Sequence, residues 1–301
     1  MSTKPLESIL NRDLSIVRSK EALDDAIPVL QDLVNHGTNA LMRCAMSVQE
    51  PVNEDMAALA LYRHILEMTD GVEVLLEHAC AIPSIPVLRS SFEALLSLEY
   101  ILENDVEYSR RSLAWCVSHF LRRLKLHEAL IPSTNEGAKF AESLSLDRIG
   151  SRVQLPPKAD AQKRVDGFHR LLANPKLESI VREFGSNKRA KWYSLFGGPK
   201  NLKKLAQHLK LHAQYDWLYL LWSSTSHALD LGPFMAASSS GEFHIGQLRD
   251  PEQIREVARF AATFAVDATR MTLGKFRPNE DFSAWYKSNV SERLLKIMPR
   301  K

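Results

Sequence analysis

The sequence predicts an all-α protein, an irregular multi-helix bundle of about a dozen helical pieces, with at most one short hairpin. Apolar residues recur at three- and four-residue spacing through most of the 301 residues, which is the period of a helix. Prolines and glycines fall between these stretches, where they end helices. Only residues 236–248 (AASSSGEFHIGQL) have the composition of a short strand or hairpin.

The first half of the chain reads as a series of long helices. We predict an amphipathic helix that starts at Thr3 or Pro5 and runs to about Arg18, and a second from about 19 to 48, which should kink or break at Pro28. A third follows from about 54 to 79. The next, Pro86–Glu103, should begin at its proline, and because it is apolar on most faces we place it at the centre of the fold.

The second half is more often interrupted. Its predicted elements are a helix at about 105–131, a loop at 150–157, helical pieces to about 185, an irregular stretch at 185–200, a helical run to 229, and C-terminal helices from 251 to 273 and from 280 to 297. We expect three parts: an N-terminal helical extension (1–50), a core helical domain (51–248), and C-terminal helices packed on the core (249–301).

Composition excludes several classes of protein. A net charge of +3 does not force a nucleic-acid function, and three cysteines without a C-x-x-C spacing suit reduced thiols. The N-terminus has no apolar signal core, and no apolar run reaches the ~18–20 residues of a membrane span, so we expect a cytoplasmic protein without membrane contact. Zinc, calcium, Walker A and dinucleotide-binding motifs are missing, so we predict no metal and no cofactor.

A polar stripe on an otherwise apolar helix is the main functional signal. Tyr215, Tyr219, Ser223 and His227 follow each other at four-residue spacing, and Ser226 lies beside them. Residues four apart share one face of a helix. A buried polar group without a partner costs roughly 1–3 kcal/mol, so this stripe needs partners elsewhere in the fold.

The predicted central helix offers such partners in Arg89 and Glu93, which are one turn apart. Three interpretations stay open: an ion pair at a helix edge, a buried pair that fixes helix packing, and a pocket where Arg89 holds an anion. In the second and third interpretations, Arg89 and Glu93 face the polar stripe.

Three segments carry a family resemblance: LRSSFEALLSLEYI, KWYSLFGGPKNLKKLA and YDWLYLLWSSTSH. They resemble an uncharacterised bacterial family of all-helical domains of unknown function, over roughly residues 55 to 245. Its pattern is R-x-x-x-E on one helix, a tryptophan before a short turn, and Y-x-x-x-Y-x-x-x-S-x-x-x-H on a later helix. The matching residues are Arg89, Glu93, Trp192, Tyr215, Tyr219, Ser223 and His227.

The resemblance implies a helical domain without an established activity. In this chain Tyr193 separates the tryptophan from Ser194, and the proline after the histidine comes only at Pro233, which departs from the family pattern. Family members look distantly similar to helical ribonuclease domains of toxin–antitoxin and phage-defence systems, which makes RNA or a nucleotide a candidate partner.

Two further features of the sequence are relevant to the cleavage or binding of RNA. Those ribonucleases use an arginine and a histidine separated by four to six residues, and Arg122 and His127 have this spacing, although positions five apart point about 140° apart around a helix. Residues 185–214 contain no acidic residue, and Lys188, Arg189 and Lys191 flank Trp192 there. A solvated basic face is favoured over an RNA-binding surface for this stretch.

Three functions remain open. The favoured one is a non-catalytic helical interaction module that binds a protein partner or a second copy, with a structural buried polar cluster, and bacterial defence is a candidate setting for it. The alternative is a metal-independent, ribonuclease-like effector in which Arg89 holds phosphate, His227 is the acid or base, and Glu93, Tyr215 and Tyr219 orient them. A small-ligand sensor would use the same pocket.

Overall fold

The computed structural model confirms the predicted fold class. The described residues are 10–46, 54–148, 150–152, 155–187, 190–219, 222, 235–237, 241, 243–245, 248–249, 251 and 253–297. They form twelve α-helices and one two-stranded hairpin. The helices are α1 (Arg12–Ala45), α2 (Asp55–Glu77), α3 (Ala81–Leu102), α4 (Tyr108–Glu128), α5 (Asn135–Leu146), α6 (Lys158–Leu172), α7 (Glu178–Ser186), α8 (Leu202–His208), α9 (His212–Gln214), α10 (Ile254–Phe276), α11 (Phe282–Asn289) and α12 (Ser291–Lys296).

The chain divides into two compact units. The first unit comprises Met1–Val48, Ala58–Leu102 and Leu209–Lys301, and the second comprises Gln49–Ala57 and Glu103–His208. The predicted three-part division of the chain stays a prediction.

The first unit is built around α10, which packs against both α1 and α3. Alanines at 258, 262 and 265 are fully buried on α10, and small side chains let neighbouring helices approach closely. Tyr62 of α2 reaches into this core, where its hydroxyl donates to the carbonyl of Gly37 (3.2 Å) and bonds Thr269 (2.9 Å). The core therefore joins α1, α2 and α10 through one buried tyrosine as well as through apolar contacts.

Helix α1 runs from Arg12 to Ala45 without a break at Pro28, so the predicted division into two helices near residue 18 is wrong. A proline inside a helix removes one backbone hydrogen bond and crowds the preceding turn. The residues that follow, Val29, Leu30 and Leu33, are at most 1% exposed, and their burial offsets that cost. Asn11 caps the start of the helix by accepting a hydrogen bond from the amide of Leu14 at 2.9 Å.

Helix α3 has buried residues along its whole length and packs against α10, but it begins at Ala81 and not at Pro86 as predicted. Pro83 falls in the first turn, where a backbone N–H has no helical partner in any case. Pro86 deletes only one further bond inside the helix. Leu88, Phe92, Leu96 and Leu98 are fully buried on this helix, which stabilises it despite the two prolines.

The predicted hairpin is confirmed. Strand β1 (Met235–Ala237) pairs antiparallel with β2 (Phe243–Ile245), with Met235 opposite Ile245 and Ala237 opposite Phe243. Gly241 between the strands has a φ of 81°, a conformation that glycine adopts without strain.

The second unit is organised around α4. This helix packs on α6 and α7 and on the turn Trp192–Gly197. One apolar cluster joins α4, α7 and this turn, and a second joins α4 to α6. Thr134 caps α5 by accepting a hydrogen bond from the amide of Gly137 at 2.9 Å.

Within the described residues, no helix combines the length and the apolar character that a membrane crossing requires.

Candidate functional site

The segment Tyr215–Tyr219 in the first unit forms a π-helical turn, directly after α9. The sequence predicts an α-helix here. Tyr215 and Leu218 are buried, Tyr219 is half-buried, and Trp217 is 70% exposed. A single π turn inside a helix re-aims its side chains and is common at functional sites. The turn therefore presents two tyrosines to the protein interior and one tryptophan to solvent.

The two tyrosines stack on one another, with ring centroids 4.6 Å apart and planes 14° from parallel. This contact confirms that the four-residue spacing places both rings on one face. Tyr215 is 9% exposed and braces the ring of Tyr219 from the interior.

Arg89 of α3 binds this turn. Its Nη2 donates a hydrogen bond to the Tyr219 hydroxyl at 2.6 Å, and its Nε donates to Oε1 of Glu93 at 3.1 Å. The guanidinium carbon also lies 4.4 Å from the centroid of the Tyr219 ring. The predicted meeting of the arginine–glutamate pair with the tyrosines is thus present in the structure.

The exposure of Arg89 and Glu93 indicates which of the two contacts of Arg89 is the stronger. The Arg89 side chain is 17% exposed and that of Glu93 is 41% exposed. A partly exposed ion pair within one helix contributes only about 0.3–0.5 kcal/mol. A hydrogen bond to a charged group contributes about 1.5–3 kcal/mol, so the Arg89–Tyr219 bond is the stronger one.

Tyr215 remains protonated at neutral pH. Burial raises the pKa of its hydroxyl, and the neighbouring Tyr219, Asp216 and Glu93 raise it further, while Arg89 acts in the opposite direction. A phenol with a raised pKa is a poor general base. Tyr215 therefore contributes packing and orientation to this cluster.

A second polar contact lies beside the first and was not predicted. Nε2 of His64 on α2 is 2.9 Å from the hydroxyl of Ser90 on α3. Ser90 directly follows Arg89 in the sequence, so α3 forms polar contacts with two different segments of the first unit. Neither residue belongs to a recognisable motif, and only the three-dimensional packing brings them together.

Five predicted site residues, Ser223, Ser226, His227, Lys188 and Arg189, lie outside the described residues. Trp192 and Lys191 belong to the second unit. Trp192 is 8% exposed and packs edge-on against Tyr193 at 5.5 Å, whereas Lys191 is exposed. A buried indole cannot stack on a nucleic-acid base, so the structure favours a packing role for Trp192.

Arg122 and His127 do not present their functional groups to one surface. Arg122 is exposed, whereas His127 is 7% exposed and stacks on Phe168 of α6 at 6.0 Å. The large angle between positions five apart explains the difference. No group of three or more His, Cys, Asp or Glu side chains is placed to hold a metal ion in the described part of the chain.

Comparison with known protein families gives a match over most of the predicted core domain. The model of a family of unknown function (DUF5677) matches residues 55–243, which include Arg89, Glu93, Trp192, Tyr215 and Tyr219. No curated protein and no solved structure gives a significant match. The match covers more than half of the chain, and the chain belongs to this family of unknown function.

Proposed function

We propose that the chain is a non-catalytic helical interaction module, in which Arg89, Glu93, Tyr215 and Tyr219 form a structural polar cluster. The bonds of Arg89 support this proposal, because Glu93 and Tyr219 of the same unit both accept hydrogen bonds from its guanidinium. An arginine that served as an anion site would have to give up those bonds when the ligand arrived. A cluster that satisfies its own charges stabilises one helix arrangement instead.

The observation that carries the proposal is the exposed side chain of Trp217. It lies on the same π turn that Arg89 anchors, and 70% of it is exposed to solvent. A large aromatic side chain held on a rigid turn loses little conformational freedom on binding, and tryptophan is enriched among residues that dominate protein interfaces. The cluster thus holds the turn while Trp217 contacts a partner protein or a second copy of the chain.

The ribonuclease-like alternative and the small-ligand sensor would use the same pocket. Both need Arg89 to bind a ligand, and the effector also needs His227 as acid or base. They differ from the interaction module in that catalysis or ligand binding should disappear when Arg89 is replaced.

The interaction can be tested by placing a photoreactive phenylalanine analogue at position 217 and irradiating living cells. His212, which is exposed on α9, is the matched control position. We expect an adduct that forms from position 217 and not from 212. An adduct of twice the chain mass identifies a second copy, and any other mass identifies a partner for purification.

Binding of the purified partner to two variants of the chain then tests whether Trp217 is part of the interface. A central tryptophan typically contributes at least about 2 kcal/mol, so Trp217→Ala should weaken binding about thirtyfold, while His212→Ala should leave it unchanged. Lack of an adduct from position 217, or equal binding by both variants, would contradict the proposal.

Catalysis is tested in parallel by expressing the wild type and His227→Ala, measuring growth and sequencing cellular RNA. Equal growth with intact RNA supports the non-catalytic proposal. RNA cleavage by the wild type that is lost in a folded His227→Ala variant would establish the alternative, and melting curves of both proteins verify that the variant is folded.

A further inference from the structure

The outer face of α4, in the second unit, combines aromatic and basic side chains. Trp115, His119, Arg122 and Leu126 recur at three- and four-residue spacing and so share one side of the helix, opposite the buried Val117. His119 and Arg122 are exposed, Trp115 is half-buried and Leu126 is 52% exposed. The rings of Trp115 and His119 are nearly parallel, 10° apart, with centroids separated by 6.0 Å.

The arginines in the C-terminal half of α4 are not paired with a carboxylate of the described residues. Arg122 and Arg123, and Arg164 on the adjacent α6, form no ion pair or hydrogen bond through their side chains with any described residue. By contrast, Arg110 and Arg111 at the start of the same helix each bind a glutamate. On α4, the arginines without an ion pair to a described residue therefore lie in the C-terminal half of the helix.

Two of these arginines, Arg123 and Arg164, are close enough to a buried histidine to act on its pKa. Burial lowers the pKa of His127, and the positive charges of Arg123 and Arg164 lower it further. Both guanidinium groups therefore act on the same place, the seam between α4 and α6.

The charge of the whole second unit has the same sign. It contains 20 lysines and arginines against 14 aspartates and glutamates, whereas the first unit contains 19 against 22. The small net charge of the chain thus conceals a basic unit of +6. Such asymmetry between parts of a chain is typical of proteins that bind polyanions.

We propose that Trp115, His119, Arg122 and Arg123 of α4, together with Arg164 of α6, form a binding face for single-stranded nucleic acid. The guanidinium groups bind phosphates, and the paired rings of Trp115 and His119 offer a flat surface on which a base can stack. This binding is independent of the protein partner proposed for Trp217.

The aromatic rings favour nucleic acid over an acidic protein, because acidic side chains have no aromatic ring that could stack on them as a base does. They also favour α4 over the basic stretch at 185–214. In that stretch Trp192 is buried, and the Phe196 ring is covered by Arg110 at 4.8 Å.

Fluorescence anisotropy with labelled oligonucleotides of about 12 nucleotides tests the proposal, with RNA and DNA of the same sequence as separate probes. The full chain should bind the single strands more tightly than the matching duplex, and the tighter of the two probes identifies the preferred sugar. Poly-glutamate is the competitor for simple charge attraction. Failure to bind either single strand, or equal competition by poly-glutamate at equal charge, would overturn the proposal.

The decisive variant is the triple substitution Arg122→Gln, Arg123→Gln and Arg164→Gln. Three lost phosphate contacts should weaken binding about tenfold or more and reduce the slope of log K against log salt by about 2. Its matched control is a second triple variant, Arg63→Gln, Arg182→Gln and Arg270→Gln, which removes the same charge from exposed ion pairs elsewhere.

We expect the control to bind as the wild type does, and equal losses in both triple variants would show that net charge alone is responsible. Trp115→Leu should weaken binding about fivefold or more through lost stacking. Because Trp115 is half-buried, its melting curve is measured as well. The three arginines are not part of the core, so the triple variant remains informative even if Trp115→Leu unfolds.

Discussion

Replacing His127 by leucine should stabilise the second unit, although the substitution deletes a polar side chain. Neither ring nitrogen of His127 has a hydrogen-bond partner among the described residues, and the side chain is 7% exposed. An unpaired buried polar group costs about 1–3 kcal/mol. Leucine removes that cost but gives up the ring contact with Phe168, a contact of about 0.5–1.5 kcal/mol. We expect a net gain of about 1 kcal/mol near pH 7.

The pH dependence of the stability tests this explanation more specifically than the size of the stability gain does. Burial, with Arg123 and Arg164, lowers the pKa of His127 below the ordinary 6.5. The unfolded chain therefore takes up a proton that the folded protein does not, so stability is complete above pH 6.5 and falls as the pH decreases towards the lowered pKa. One such group accounts for at most about 1.4 kcal/mol per pH unit, and His127→Leu should lose this part of the pH dependence.

Urea titrations followed by circular dichroism at about pH 7 and about pH 5.5 measure both effects. His169→Leu, at an exposed position on α6, is the matched control and should change stability by less than about 0.5 kcal/mol near pH 7. Parallel pH curves for the wild type and His127→Leu would refute the reasoning. A loss of more than about 2 kcal/mol near pH 7 would also refute it, because it would mean that the ring nitrogens are paired.

Two further predictions concern packing and accessibility. Gly37→Ala should lower the stability by about 1–3 kcal/mol, because a Cβ there would lie 2.4 Å from a Leu66 methyl carbon. Gly274→Ala, where a Cβ meets nothing within 4 Å, should raise the stability by about 0.5–1 kcal/mol, and thermal melts compare the two. The accessibility of the three cysteines can be measured by their rates of reaction with a thiol-specific chromogenic disulfide. The half-buried Cys80 should react first, whereas the buried Cys44 and Cys116 should react only on unfolding. Fast reaction of all three thiols would contradict this prediction.

The cost of burying charge was sufficient to predict part of the candidate site. Arg89 and Glu93 stand out because they interrupt an apolar helix, and the paired tyrosines stand out for the same reason. Together these features predicted that two segments 130 residues apart would meet, and the bond from Arg89 to Tyr219 confirms it. No comparable reasoning was available for His64 and Ser90, since a single histidine or serine on a helix has many alternative partners.

Backbone details were harder to predict than side-chain contacts. The sequence does not distinguish a π turn from an α-helix at Tyr215–Tyr219, because both suit the same residue types and differ by one backbone hydrogen bond. The starts of helices were misplaced for a related reason. Pro86 is a favourable first residue of a helix, yet packing of the rest of α3 extends the helix back to Ala81.

The most direct test of the structural cluster is a double-mutant cycle between Arg89 and Tyr219. The free energy of unfolding is measured for the wild type, Arg89→Met, Tyr219→Phe and the double variant. If the guanidinium–hydroxyl bond holds the Trp217-bearing turn on α3, the two substitutions should be coupled by about 1.5–3 kcal/mol. Additive effects, with coupling below about 0.5 kcal/mol, would contradict the account.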